Sequence, residues 1–152
     1  MNIGELCSRE LVTASADAPL ADVARLLRDH HVGAVVITKS PLDRPVPVGI
    51  ITDRDIVCAQ LDRAADLFCL SAADVMTRDP LVLPAHTPLE AAISRLRERG
   101  VRRAPVVDES GGLVGLVSID DLLAAVAESL IGLSRLVASQ PRREEATRRS
   151  LQ

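Results

Sequence analysis

One seven-residue phrase, Gly-apolar-apolar-(Thr/Ser)-x-x-Asp, occurs twice in this chain and constrains its fold more than any other feature. Gly49-Ile50-Ile51-Thr52-Asp53-Arg54-Asp55 is followed 66 positions later by Gly115-Leu116-Val117-Ser118-Ile119-Asp120-Asp121. Upstream, Pro19-Leu20 with Val23, Leu26 and Leu27 matches Pro88-Leu89 with Ala92, Ile93 and Leu96. Val32-Gly33-Ala34-Val35-Val36-Ile37 aligns with Val101-Arg102-Arg103-Ala104-Pro105-Val106 at a spacing of 69. Self-similarity at a fixed period marks a duplicated unit. The two spacings differ because the connection between two β-rich runs is longer in the first copy (38–46) than in the second (107–112), and loop length costs little. The copies occupy 1–66 and 70–131, followed by an extension over 132–152.

Each copy predicts the order strand, helix, strand, strand, helix. Short strands are expected at 11–14 and 81–83, and apolar residues at helical spacing predict helices over 20–30 and 89–99. Asp17 and Thr87 stand where N-caps are expected, and Gly100 where a helix would stop. β-rich runs follow at 35–37 and 46–51, and at 105–107 and 113–117, with a further helix starting after Thr52 and after Ser118. The last helix is expected to run to about Ala138, with a solvated, mobile tail over 141–150. A copy of about 65 residues would be marginal alone, so the two are expected to pack sheet to sheet around one core. The fold class is therefore mixed α/β.

Composition narrows the function classes. The chain of 152 residues is 47% hydrophobic but carries only Phe68 as an aromatic, which removes the stacking platforms that hold single-stranded nucleic acid. A net charge of -3 likewise argues against a phosphate-backbone surface, so no nucleic acid is expected as partner. No apolar run has the length of a membrane span and the N-terminal residues lack a signal-peptide pattern, which points to the cytoplasm and no membrane partner. Cys7, Cys58 and Cys69 are odd in number and scattered, and read as reduced thiols acting as small buried apolar groups.

Within the repeated phrase, a strand ends and a helix begins, with the hydroxyl residue as N-cap and the Asp at the third helical position. Taken singly, that is a helix cap close to a capping box. Its duplication at corresponding strand ends adds a binding reading. A helix start offers free N–H groups and the positive end of the dipole to a phosphate, the Thr52 or Ser118 hydroxyl can donate to it, and a carboxylate three residues on can accept from a ribose diol. An apolar crevice near Val32 and Val101 can hold a base.

On these residues, and on Val48 to Asp55 and Val101 to Asp108 in particular, the chain resembles the CBS domain pair, over roughly residues 11–127. The resemblance implies two β-α-β-β-α motifs packed about a pseudo-twofold axis with two clefts between them. It implies AMP, ADP or ATP, or S-adenosylmethionine, as regulatory ligand, and pairs that stack into disc-like homodimers. In that family the hydroxyl meets the phosphate and the Asp the ribose, roles that carry over to Thr52, Asp55, Ser118 and Asp121. The two sites are expected to be unequal. Arg102 and Arg103 stand where the first copy has Gly33-Ala34, which predicts two guanidinium groups in the second half for a phosphate. Arg54 lies inside the first motif, whereas Asp120 beside Asp121 predicts repulsion in the second.

Asp53, Asp55, His30, His31 and His86 lack the spacing of a zinc or hydrolytic site, so a regulatory protein and not an enzyme is expected. With no catalytic or transporter domain fused, nucleotide binding would signal to a protein partner by conformational change. The competing reading is a ligand-free dimerisation scaffold of the same fold. The apolar helix around Leu122 to Val126, continuing to Leu130-Ile131, would supply its surface.

Overall fold

The β-branched and apolar runs form strands, and the runs at helical spacing form helices, in the predicted order within each copy. The structure, a computed structural model, describes residues 1–39, 44–63 and 67–149, so the expected loop over 38–46 and the tail lie partly outside the described residues. A one-turn helix α1 (Ile3–Leu6) comes first, then β1 (Thr13–Ser15), α2 (Leu20–Asp29), β2 (Ala34–Lys39), β3 (Val46–Thr52) and α3 (Asp53–Arg63). After a 3-10 turn (Leu67–Cys69) come α4 (Ala72–Val75), β4 (Thr77–Arg78), β5 (Leu83–Pro84), α5 (Leu89–Arg99), β6 (Arg103–Val107), β7 (Leu113–Ser118) and α6 (Ile119–Arg149).

The strands make two sheets, ordered β1-β2-β3-β4 and β5-β6-β7. In each, a short strand pairs parallel to the next across a helix, because a parallel pair needs a crossover, and that second strand then turns back antiparallel. Equivalent irregularities interrupt both hairpins, at Ile37/Thr38 and at Val106/Val107. The register sets Ala34 opposite Thr52 and Arg103 opposite Ser118, so the hydroxyl of each motif sits at the end of its sheet beside the start of the preceding strand.

Segments are exchanged between the copies. α1 and the residues after it, at the start of the first copy, pack on the second sheet: Ile3 N–H bonds the Thr87 carbonyl (2.9 Å), and Ser8 and Leu116 exchange two backbone bonds (2.9 and 3.0 Å). α4 and β4, at the start of the second copy, belong to the first sheet, with Ile50 opposite Thr77. In place of the single core expected, there are two clusters. Ile3 and Cys7 lie with Leu83, Leu96, Val106 and Leu122, and Ala72 lies with Leu20, Val23, Ile37 and Ile51. The physical reason is that each sheet covers its own apolar face with its own helices and the borrowed turn.

Three further expectations change. Asp17 and Thr87 do not cap their helices: Pro19 and Pro88 occupy the N-cap positions without side-chain caps. Asp17 instead accepts from the Ser15 hydroxyl, which holds its carboxyl below the usual carboxylate range, and Thr87 is buried against the N-terminal segment. Of the cysteines only Cys7 is buried, where desolvation pushes its thiol up; Cys58 on α3 and Cys69 in the 3-10 turn are exposed. α6 continues past Ala138 to Arg149, through a stretch rich in the helix formers Arg, Glu and Ala. Gly100 does end α5, in the left-handed region at φ 65°, whereas the equivalent position after α2 is taken by His31 at φ 53°.

Candidate functional site

Both motifs form the strand-to-helix junction predicted for them. Asp55 Oδ2 accepts from the Thr52 N–H (2.7 Å) and the Thr52 hydroxyl (2.7 Å), and the Asp55 N–H donates to Thr52 Oγ1 (3.3 Å). Asp121 and Ser118 repeat this at 2.8, 2.6 and 3.3 Å. Each pair is a reciprocal capping box. The hydroxyl hydrogen is therefore directed at the carboxylate and not at the phosphate expected for it. Donation to an incoming anion requires the hydroxyl to rotate away from the Asp.

The glycine that opens each motif has a packing origin. A Cβ on Gly115 would lie 2.3 Å from Cys7 Sγ, and one on Gly49 would lie 2.4 Å from Met76 Sδ. Cys7 and Met76 follow α1 and α4, so each exchanged turn lays a side chain over the strand that leads to the motif.

Two clefts flank the junctions, and they differ threefold in size. The first, about 610 Å³, is lined by Thr52, Arg54 and Asp55 from one half and by Arg99, Val101, Arg102 and Arg103 from the other, with Arg78 and Asp79 from the connecting segment. The second, about 210 Å³, is lined by Ser118 and Asp121, by Val32 to Ala34, by Arg103, and by Ser8, Glu10, Leu11 and Val12. Only the first falls in the range of roughly 300–1,000 Å³ usual for small-molecule sites.

The structure thus reassigns the arginines. Arg102 and Arg103 come from the second copy but face Thr52 and Asp55, because each cleft combines the motif of one half with the start of the second strand of the other. The expectation that they serve the Ser118–Asp121 site is corrected for Arg102, while Arg103 lines both clefts. Its guanidinium donates to the Gly33 carbonyl (3.2 Å), and a Cβ on Gly33 would approach Arg103 Nη2 to 2.8 Å, so a side chain there would displace the end of the arginine. Asp120 does not line the second cleft; Glu10 does.

Arg78, Asp79 and Arg99 are lining residues that the sequence reading missed. A signal existed. The 69-residue spacing extends back to Asn2-x-x-Glu5 and Ser71-x-x-Asp74, and both form capping boxes at the start of the exchanged turns. Followed forward, that alignment makes 8–12 equivalent to 77–81; in the structure 77–81 line the first cleft and Ser8, Glu10, Leu11 and Val12 the second. Asp79 adopts φ 47°, a conformation that costs a non-glycine residue about 1–2 kcal/mol.

The first cleft is lined by five arginines and by Asp53, Asp55 and Asp79; the guanidinium groups of Arg78, Arg99 and Arg103 donate to the Ala73, Asp79 and Gly33 carbonyls. Among the described residues none of the five lies within ion-pair distance of a carboxylate, the pairs present being Arg25–Asp22 and Arg28–Asp29. Such a cleft is an electropositive, partly apolar concavity suited to an anion with a flat apolar portion. The second cleft sets Glu10 and Asp121 against Arg103 alone. The three histidines are exposed, and no group of three or more His, Cys, Asp or Glu among the described residues is placed to hold a metal ion. Among the described residues no helix is long and apolar enough to cross a membrane.

Comparison with known proteins matches this architecture. The chain is 29% identical over 123 residues to an uncharacterized protein of Methanopyrus kandleri, covering 81% of this chain and 61% of that protein. It is 35% identical over 116 residues to inosine-5′-monophosphate dehydrogenase of Korarchaeum cryptofilum, covering 75% of this chain but only 22% of the enzyme. Among solved structures, a CBS domain pair in complex with 5′-methylthioadenosine and S-adenosyl-L-methionine superposes with a TM-score of 0.73 at 21% identity, over 85% of this chain and 98% of that one. The CBS domain family model matches residues 3–62 and 72–128, starting each copy at an exchanged turn. With two matched motifs, the fold of a CBS pair and a cleft at each strand-to-helix junction, the chain belongs to the CBS domain family.

Proposed function

We propose that the larger cleft binds one phosphate-bearing adenine nucleotide, AMP, ADP or ATP, and that the chain is a regulatory ligand-binding protein and not an enzyme. The observation that carries this reading is the meeting of Arg54, Arg78, Arg99, Arg102 and Arg103 with the Thr52–Asp55 junction in one cavity of about 610 Å³. Phosphate oxygens take bidentate bonds from guanidinium groups, Asp55 is placed to accept from a ribose diol, and Val101 and Leu81 offer an apolar side to the base. An adenosyl ligand in a CBS pair of similar fold supports the base and ribose part of the reading. The excess of guanidinium groups favours a phosphate over the sulfonium of S-adenosylmethionine, which is a cation. The 210 Å³ of the second cleft and its two carboxylates, with Arg103 its one lining arginine, favour one nucleotide per chain over two.

In this reading the nucleotide is a regulatory ligand. It draws the Thr52 junction and the start of β6 together, and the change is read by a second copy of the chain and by a protein partner in the cytoplasm. A ligand shifts such an arrangement only by its differential affinity for the two states.

Calorimetric titration with AMP, ADP, ATP, NAD and S-adenosylmethionine tests the reading. One adenine nucleotide per chain is expected, weakened tenfold or more, about 1.4 kcal/mol, by Arg102→Ala and by Asp55→Ala, and little changed by Asp121→Ala. A second reading, a ligand-free interaction scaffold, draws support from the exposed apolar side chains of α6. It prevails if millimolar nucleotide leaves the melting temperature of the protein unchanged.

A further inference from the structure

We infer that α6 carries a coiled-coil seam whose partner is α6 of a second copy of this chain. The helix spans Ile119–Arg149, 31 residues or roughly 46 Å, and among its described side chains the buried ones lie in its first turns. Leu122 and Ala125 face the second core at 3% and 4% exposure. Beyond Val126, every side chain from Ala127 to Val137 is exposed.

Apart from that inward face, the helix presents a second row: Ile119, Leu123, Val126, Leu130, Leu133 and Val137. Their spacing is four, three, four, three, four. A groove on a globular partner places no demand for that alternation, whereas two helices winding about each other require it, since it keeps one stripe facing the partner at 3.5 residues per turn. The row covers nearly three heptads. Val126 is half-buried, and the other five are 46%, 67%, 61%, 61% and 66% exposed in chain order.

The polar residues agree with a self-pairing seam. Between Leu122 and Val137 the only charged side chains are Glu128 and Arg135, both at the position opposite the seam, so two copies meet without like charges across the contact. Ala127, Ser129 and Ser134 flank the row and allow close approach. The stripe starts at Ile119, next to the Ser118 junction, and runs outward without a break. A helix of this length standing free in water has little stability of its own, and burial of an apolar face is what ordinarily supplies it.

This seam deepens the pairing part of the proposed function by naming its surface, and it does not depend on nucleotide. Sedimentation velocity of the full chain tests it, with helix content followed by circular dichroism. The unaltered chain is expected at the mass of two chains, Leu130→Glu/Leu133→Glu at half that mass with nucleotide affinity unchanged, and Glu128→Ala, opposite the seam, still at the mass of two. A Leu130→Glu/Leu133→Glu protein that keeps the mass of two chains would overturn the seam while leaving pairing intact through another face. An unaltered chain that stays at the mass of one up to about 100 µM would overturn seam and pairing together. So would a single-chain mass combined with flotation on phospholipid vesicles, which would assign the stripe to a membrane surface.

Discussion

Gly49 and Gly115 open the two motifs, and neither is there for backbone freedom, since both lie in extended strands. They are small because Met76 and Cys7 lie over them. The two contacts differ in how they can yield. A Cβ on Gly115 would meet Cys7 Sγ at 2.3 Å, Cys7 Cβ at 2.9 Å and the Ser8 carbonyl at 3.0 Å, whereas the three atoms nearest to one on Gly49 all belong to the Met76 side chain. Methionine is unbranched and adapts, and a backbone carbonyl held by a strand bridge does not. Gly115→Ala is therefore expected to cost about 1–3 kcal/mol and Gly49→Ala less, by chemical denaturation, in line with overpacking of a filled core. Thr52, Asp55, Ser118 and Asp121 were legible from spacing alone, because a capping box is a local device that needs no tertiary partner. Arg78 and Asp79 were not, because nothing in their immediate neighbourhood says which sheet the connecting segment joins.

At the scale of elements, the strands and long helices follow from periodicity, while the turns are set by local acceptors. The β6–β7 turn is organised by Asp108, whose carboxylate accepts from the Ser110 hydroxyl (2.6 Å), the Ser110 N–H (2.8 Å) and the Gly112 N–H (2.9 Å). Chiefly the hydroxyl, then the Gly112 N–H, hold its carboxyl below the usual carboxylate range. A carboxylate with a depressed value in the folded state adds stability above its unfolded value, and that contribution is lost as pH falls through the folded one. Asp108→Asn should thus lower the melting temperature by a constant amount at neutral pH, with the difference from the unaltered protein closing below about pH 4. A difference that stays flat down to pH 2 would show that the turn does not depend on the charge. The caps expected at Asp17 and Thr87 failed for a related reason. Proline occupies the cap position in both helices; of the residues ahead of it, Asp17 accepts from the Ser15 hydroxyl and Thr87 is buried.

For the whole molecule, the exchange of turns makes each half dependent on the other. Ile3, fully buried, belongs by sequence to the first copy and by packing to the second core. Ile3→Ala is expected to lower stability by about 2–5 kcal/mol. In native-state hydrogen exchange the loss should fall on β6, β7 and α5 before it reaches β2 and β3. Equal loss in both sheets would mean that the two cores unfold as one unit.

The duplication, the order of strands and helices and the capped junctions are determined by the sequence itself, since each rests on interactions between residues close along the chain. Which arginines share a cleft with which junction, which turn completes which core, and the threefold inequality of the clefts were decided only by the tertiary structure. They depend on contacts between residues from 20 to more than 100 positions apart, such as Arg99 with Asp79, Arg103 with Gly33 and Ser8 with Leu116, whose partners no local pattern names.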